Sequence, residues 1–129
     1  MKKHILSVDD EADIRELLQE ALTLKGYRVS TAAEPVTARR IVKEDPPQLI
    51  IMDFQIEEGD GFVLIEEFRQ LAPNTPILLL TGAVFDRAVV RDTIQKKVSS
   101  YLDKTASLAM IVSEIQRLLG DPPDAPSSA

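Results

Sequence analysis

The 129 residues include no cysteine and no tryptophan, one histidine and five glycines. Without cysteine there is no disulfide framework and no thiolate metal site, which fits a reducing compartment. No apolar run approaches the roughly 18 residues that a bilayer-spanning helix requires. The start, MKKHILSVDDE, turns acidic within a few residues and does not read as a secretory signal. Positive charge is scarce too: 15 Lys and Arg stand against 21 Asp and Glu, a net charge of −6. Affinity for a phosphate backbone comes mainly from Lys and Arg, so direct nucleic-acid binding is not expected of this chain. What is left is a cytoplasmic globular domain, not attached to a membrane, whose partners are proteins, cations or small molecules. The length suggests one domain with room for a real core, and the 44% apolar content agrees.

Four short apolar runs stand out: Ile5 to Val8, Leu49 to Met52, Ile77 to Leu80, and a weaker one at Tyr101–Leu102. The second and third are continuous, as in parallel strands covered on both faces. YRVST at 27–31 alternates and reads as a strand with one better-exposed side, or an edge. Ile14, Leu17, Leu18, Ala21 and Leu22 share one helical stripe closed by Gly26. Leu108, Ile111, Val112, Ile115, Leu118 and Leu119 share another, closed by Gly120. Pro35 to Glu44, Phe62 to Leu71 and Asp86 to Lys96 are shorter helix candidates. On the last of these, Val89, Val90, Ile94 and, beyond it, Val98 make an imperfect stripe. Five βα units predict an α/β fold: a five-stranded parallel sheet, doubly wound, with right-handed crossovers and helices on both faces. The domain is expected over residues 1–120, and DPPDAPSSA at 121–129 reads as a linker-like or disordered tail.

In such a sheet the functional crevice lies beyond the C-terminal ends of the strands. Strand one ends at Asp9-Asp10, strand three at Asp53 and strand four at Thr81-Gly82, while strand five runs into Lys104. Carboxylates, a hydroxyl and an ammonium therefore converge from different strands. Adjacent acids raise one another's pKa and oppose a compact state. Asp9, Asp10 and Glu11 are either a solvated helix start, where acids complement the dipole, or a place for a cation. A hard, oxygen-only set favours Mg²⁺. One Asp suits the role of nucleophile in forming an aspartyl phosphate, and an ammonium beside it suits charge stabilisation. Thr81 also fits a plain turn, and Tyr101 fits core packing with its hydroxyl outward. His4, the lone histidine, reads as a strand-edge residue without a role.

VDDE, Asp53 after LIIM, TGA after ILLL, and YLDK resemble, in order and spacing, the receiver domain of two-component response regulators. The resemblance covers residues 2 to about 119 and implies the flavodoxin-like strand order 2-1-3-4-5, (βα)5. It further implies that Asp53 accepts a phosphoryl group from a histidine kinase or phosphotransfer protein. Mg²⁺ (or Mn²⁺) is then held by Asp10, Asp53 and the backbone carbonyl of Gln55, with Asp9 acting through water. Lys104 pairs with Asp53 at rest and with the phosphoryl group afterwards. Thr81 swings toward that group and Tyr101 turns inward, which reshapes the face of the fourth helix, fifth strand and fifth helix for an output domain or target. The implied protein is bacterial and cytoplasmic, and it is not an enzyme beyond promoting its own phosphorylation and dephosphorylation. Gln55 and Ala83 flank the attack path, and a phosphorylation-dependent homodimer is open.

Three departures accompany the resemblance. Lys104-Thr105 replaces the family's cis Lys-Pro; a cis bond before Thr costs roughly 2.5–4 kcal/mol, so both isomers stay open. Glu57 replaces a proline in the loop after Asp53, and VSSY replaces the usual Gly-Ala-acid lead-in to the aromatic. These motivate a second reading, a receiver-like protein-binding module that no longer switches. A phosphatase with an Asp nucleophile needs a second acid two residues on, where Gln55 stands. A flavin site of the same fold class is opposed by three acids where its phosphate would lie.

Overall fold

The computed structural model describes residues 2–53, 61–81 and 98–122. Five strands, β1 (His4–Val8), β2 (Arg28–Ala32), β3 (Leu49–Met52), β4 (Ile77–Thr81) and β5 (Ser100–Asp103), form one sheet. Its order is β2-β1-β3-β4-β5 and every pairing is parallel. The helices are α1 (Ala12–Leu24), α2 (Pro35–Glu44), α3 (Gly61–Leu71) and a C-terminal helix (Leu108–Leu119). The helix expected over 86–96 lies outside the described residues, as do Gln55, Glu57 and Ala83. No helix among the described residues is long and apolar enough to cross a membrane.

Alternation along the central strands divides the core in two. Leu6, Val8, Ile50, Met52, Ile77 and Leu79 pack with Ala38 and Val42 of α2 and Leu64, Ile65 and Phe68 of α3. Ile5, Leu49, Ile51, Leu78 and Leu80 pack with Leu18 and Leu22 of α1 and Ile111, Val112 and Ile115 of the C-terminal helix. Strands covered on both faces have no polar side to alternate with, which is why β3 and β4 read as unbroken apolar runs. β2 is one of the two edge strands, with Arg28 exposed and only Ala32 fully buried.

Local chemistry sets the helix limits. Pro35 opens α2, where its missing N–H is no loss. Ser107 caps the C-terminal helix by accepting from the Met110 N–H at 3.2 Å. Gly120 closes the same helix at φ +72°, a conformation that a side chain disfavours. α1 corrects one expectation: Leu17, read onto its buried stripe, is 48% exposed, and Leu18 and Leu22 carry the packing.

The N-terminal end of the sheet is closed by matched polar pairs. Lys3 Nζ donates to Leu119 O at 2.8 Å and to Asp121 Oδ1 at 2.5 Å, and the Tyr27 hydroxyl donates to Asp121 Oδ2 at 2.6 Å. Asp121, the first residue of the expected tail, is thus tied to the residues that lead into β1 and β2. Arg28 meets Asp45 through two bonds of 2.6 and 2.9 Å. His4 opens β1, at the end of the strand opposite Asp9 as expected, and is buried, 2% exposed. Its Nε2 lies 2.7 Å from Ser30 Oγ, and its Nδ1 lies 3.8 Å from Asp45.

Candidate functional site

The opposite end of the sheet gathers the charges. Val8 of β1 is in register with Met52 of β3, so the next residue of each strand, Asp9 and Asp53, emerges side by side. The Asp53 N–H donates to Val8 O and the Asp9 N–H to Ala32 O, both at 3.0 Å. Asp9 Oδ1 in turn accepts from the Glu11 N–H at 2.9 Å, and Arg15 Nη1 donates to the Asp9 carbonyl at 2.7 Å. These bonds carry the chain from β1 into α1 with both carboxylates held in place.

Lys104 follows β5 directly and reaches across the end of the sheet. Its Nζ lies 2.8 Å from Asp53 Oδ2, 3.0 Å from Asp9 Oδ2 and 2.9 Å from Glu11 Oε1. The Lys104–Thr105 peptide is trans, since the described residues contain no cis bond. In place of the proline, the Thr105 N–H and hydroxyl both donate to Asp103 Oδ1 at 2.8 Å. That turn leads from β5 into the C-terminal helix with the lysine already directed into the crevice.

Like charges crowd this end of the sheet. Burial raises the Asp9 carboxyl above the ordinary range, opposed by the Glu11 N–H bond and by Lys104, and the nearby Asp53 charge adds to the rise. Burial alone would lower the Lys104 ammonium, but its hydrogen bonds to Asp53, Glu11 and Asp9 outweigh that and raise it. Three carboxyl groups thus lie within 3.0 Å of the Lys104 ammonium, and Asp10 joins them in one cluster. One carboxylate oxygen from each of Asp9, Asp10, Glu11 and Asp53 lies within 4.8 Å of the others. Oxygens on opposite sides of an octahedral Mg²⁺ stand about 4 Å apart, so the donor set fits a hard divalent cation in both spacing and chemistry.

Of the residues expected at the site, Asp9, Asp10, Asp53 and Lys104 come together here. Thr81 is the last residue of β4, paired with Asp103 at the same end of the sheet; its side chain lies outside the described part. Tyr101 sits on β5 beside Leu79 and is 43% exposed, on the surface and not in the core. The metal position expected of the Gln55 carbonyl lies outside the described residues.

Glu11 is the residue that the sequence reading undervalued. It occupies the N-cap position of α1 with extended backbone, φ −84° and ψ 114°, yet its side chain makes no capping bond and turns to Lys104. The available signal was chemical: Asp9 already turns the chain there, and Glu is not among the favoured N-cap residues.

Comparison with known proteins agrees with this architecture. The family model described as Response regulator receiver domain matches residues 5–116. The chain is 31% identical over 122 residues to the response regulator MprA of Mycobacterium leprae, covering 89% of this chain and 50% of that one. The chain therefore spans about half the length of that curated relative. A CheY-like response regulator receiver domain from Methanospirillum hungatei superimposes with a TM-score of 0.86 at 22% identity, over 93% of this chain and 95% of the other. Chemotaxis protein CheY4 of Vibrio cholerae gives 0.81 at 25% identity, over 92% and 99%.

Proposed function

The chain belongs to the response regulator receiver domain family, and from that premise we propose that Asp53 is its phosphoacceptor. The observation that supports this is the buried Asp53 carboxylate, 2.8 Å from an ammonium and beside two further acids. A carboxylate oxygen of Asp53 attacks phosphorus on a phosphohistidine or an acyl phosphate. The new O–P bond forms as the donor's N–P or O–P bond breaks, and the electron pair leaves with the donor. Lys104 meets charge on the phosphoryl oxygens, and positioning with electrostatics supplies most of the rate in such transfers. Asp10 and Asp53, helped by the Gln55 carbonyl and by Asp9 through water, would hold Mg²⁺ or Mn²⁺. When bound, the ion supplies positive charge and orientation for the transferring group.

Thr81 then takes a phosphoryl oxygen and Tyr101 turns in from its exposed position on β5. This biases the surface of β5 and its flanking helices toward an output domain or target protein. The donor is a sensor histidine kinase or phosphotransfer protein in the cytoplasm of a bacterial cell. Residues 121–129 serve as a linker beyond the domain, apart from the anchored Asp121. The chain turns over no separate substrate.

The test is incubation with Mg²⁺ and acetyl phosphate followed by intact-mass measurement. One phosphoryl adduct is expected, and none in Asp53→Asn. No adduct from small donors or a cognate kinase, together with no Mg²⁺ binding, would favour the non-switching binding module.

A further inference from the structure

Lys104 has three partners of different kinds, and the difference assigns a role to Glu11. Asp9 and Asp53 are buried, whereas the Glu11 side chain is 59% exposed at the mouth of the crevice. An ammonium has three N–H donors. Asp53 at 2.8 Å, Glu11 at 2.9 Å and Asp9 at 3.0 Å are enough to engage all of them. A phosphoryl oxygen arriving on Asp53 has to displace one partner. Glu11 yields at least cost, because its carboxylate regains water on leaving, while a buried carboxylate left unpaired does not.

Resting on the phosphoacceptor reading above, we propose that Glu11 is a positioning residue that clamps Lys104 at rest and competes with the phosphoryl group for it. Glu11 thereby slows phosphorylation of Asp53. Its position in the fold supports this. As the N-cap of α1 it is held at the crevice mouth by its own N–H bond to Asp9, and its carboxylate is engaged by the lysine and not by the helix end.

Three variants separate contact from charge. Glu11→Ala removes both, Glu11→Gln keeps the length without the charge, and Glu11→Asp keeps the charge on a side chain too short to hold Lys104. Pseudo-first-order phosphorylation by acetyl phosphate, followed by intact mass, should speed up about two- to fivefold in all three, the range of an exposed ion pair. Hydrogen exchange at the Lys104 ammonium, followed by NMR without any phosphodonor, should accelerate in all three. A merely structural N-cap would leave that signal unmoved.

Glu11→Asp matching the unsubstituted chain while Glu11→Ala differs would reduce the effect to net charge and overturn the clamp. Unchanged or slower phosphorylation in the variants would overturn it as well, with the Asp53 reading intact. No adduct on the unsubstituted chain, or an adduct surviving Asp53→Asn, would overturn both.

Discussion

The two ends of the sheet are built from the same residue types and treat charge in opposite ways. At the N-terminal end charges pair one to one: Arg28 with Asp45, and Lys3 with Asp121, with Tyr27 completing the latter. At the C-terminal end, among the described residues, one ammonium serves three carboxyl groups, two of them almost wholly buried, and a fourth, Asp10, joins the cluster. Matched pairs at a surface add a little stability and need nothing further. A cluster of like charges lowers stability until a cation relieves it. That crowding of acids, more than burial or residue type, distinguishes this end from the closing end.

The largest expected effect comes from removing the ammonium that Asp9 and Asp53 share. Lys104→Met leaves Asp9 and Asp53 buried without their ammonium and should lower unfolding free energy by about 3 kcal/mol at neutral pH. The unfolding midpoint in urea measures it, and a neutral result would erase the contrast between the two ends. Adding Asp9→Asn to that variant should recover part of the loss, because one of the stranded charges is gone.

Next in size, Asp9→Asn alone, without divalent ions, should raise the thermal midpoint by about 3–5 °C, the scale of about 1 kcal/mol in a domain this size. The pH dependence follows from the raised pKa. Folded Asp9 holds its proton more tightly than the unfolded residue does, so its favourable contribution is present below about pH 3.8 and is lost as pH rises through the folded value. The advantage of Asp9→Asn should therefore be full at pH 7 and shrink on acidification.

The closing end should show the opposite sign. Lys3 first, then the Tyr27 hydroxyl, hold Asp121 below its ordinary pKa. Its stabilisation is present above about pH 3.8 and is lost as pH falls through the folded value. Tyr27→Phe should cost about 1 kcal/mol, the scale of one hydrogen bond, read as a shift in urea midpoint. Arg28→Ala, which breaks a solvent-exposed pair, should give the smallest change, within the scatter of ordinary surface substitutions. A large loss there would mean that the closing end also carries strain.

Much of the fold was legible because both-face burial and helical periodicity leave direct marks. Leu49–Met52 and Pro35–Glu44 were read to the residue, the first from an unbroken apolar run and the second from a proline start. Periodicity misjudged Leu17, because it finds the direction of a stripe and not its width. His4 was placed rightly at the start of β1, but its burial was not legible, because position along a strand says nothing of what covers it. At the site, the residues following each strand were readable one by one. Their spacing was not, since Asp9 and Asp53 are brought level by the register of β1 against β3, which a linear chain does not display. Glu11 escaped for a related reason: where its carboxylate points depends on a turn built by Asp9 and on a lysine 93 residues away.

The Asp53 amide is itself a rung of the sheet, bonded to Val8 O, as the Asp9 amide is to Ala32 O. The Asp53 carboxylate therefore inherits the lifetime of the central strands and not that of a surface loop. Exchange of these two amides with deuterated water should follow the slow opening of the sheet, hours behind that of the Glu11 amide at the rim.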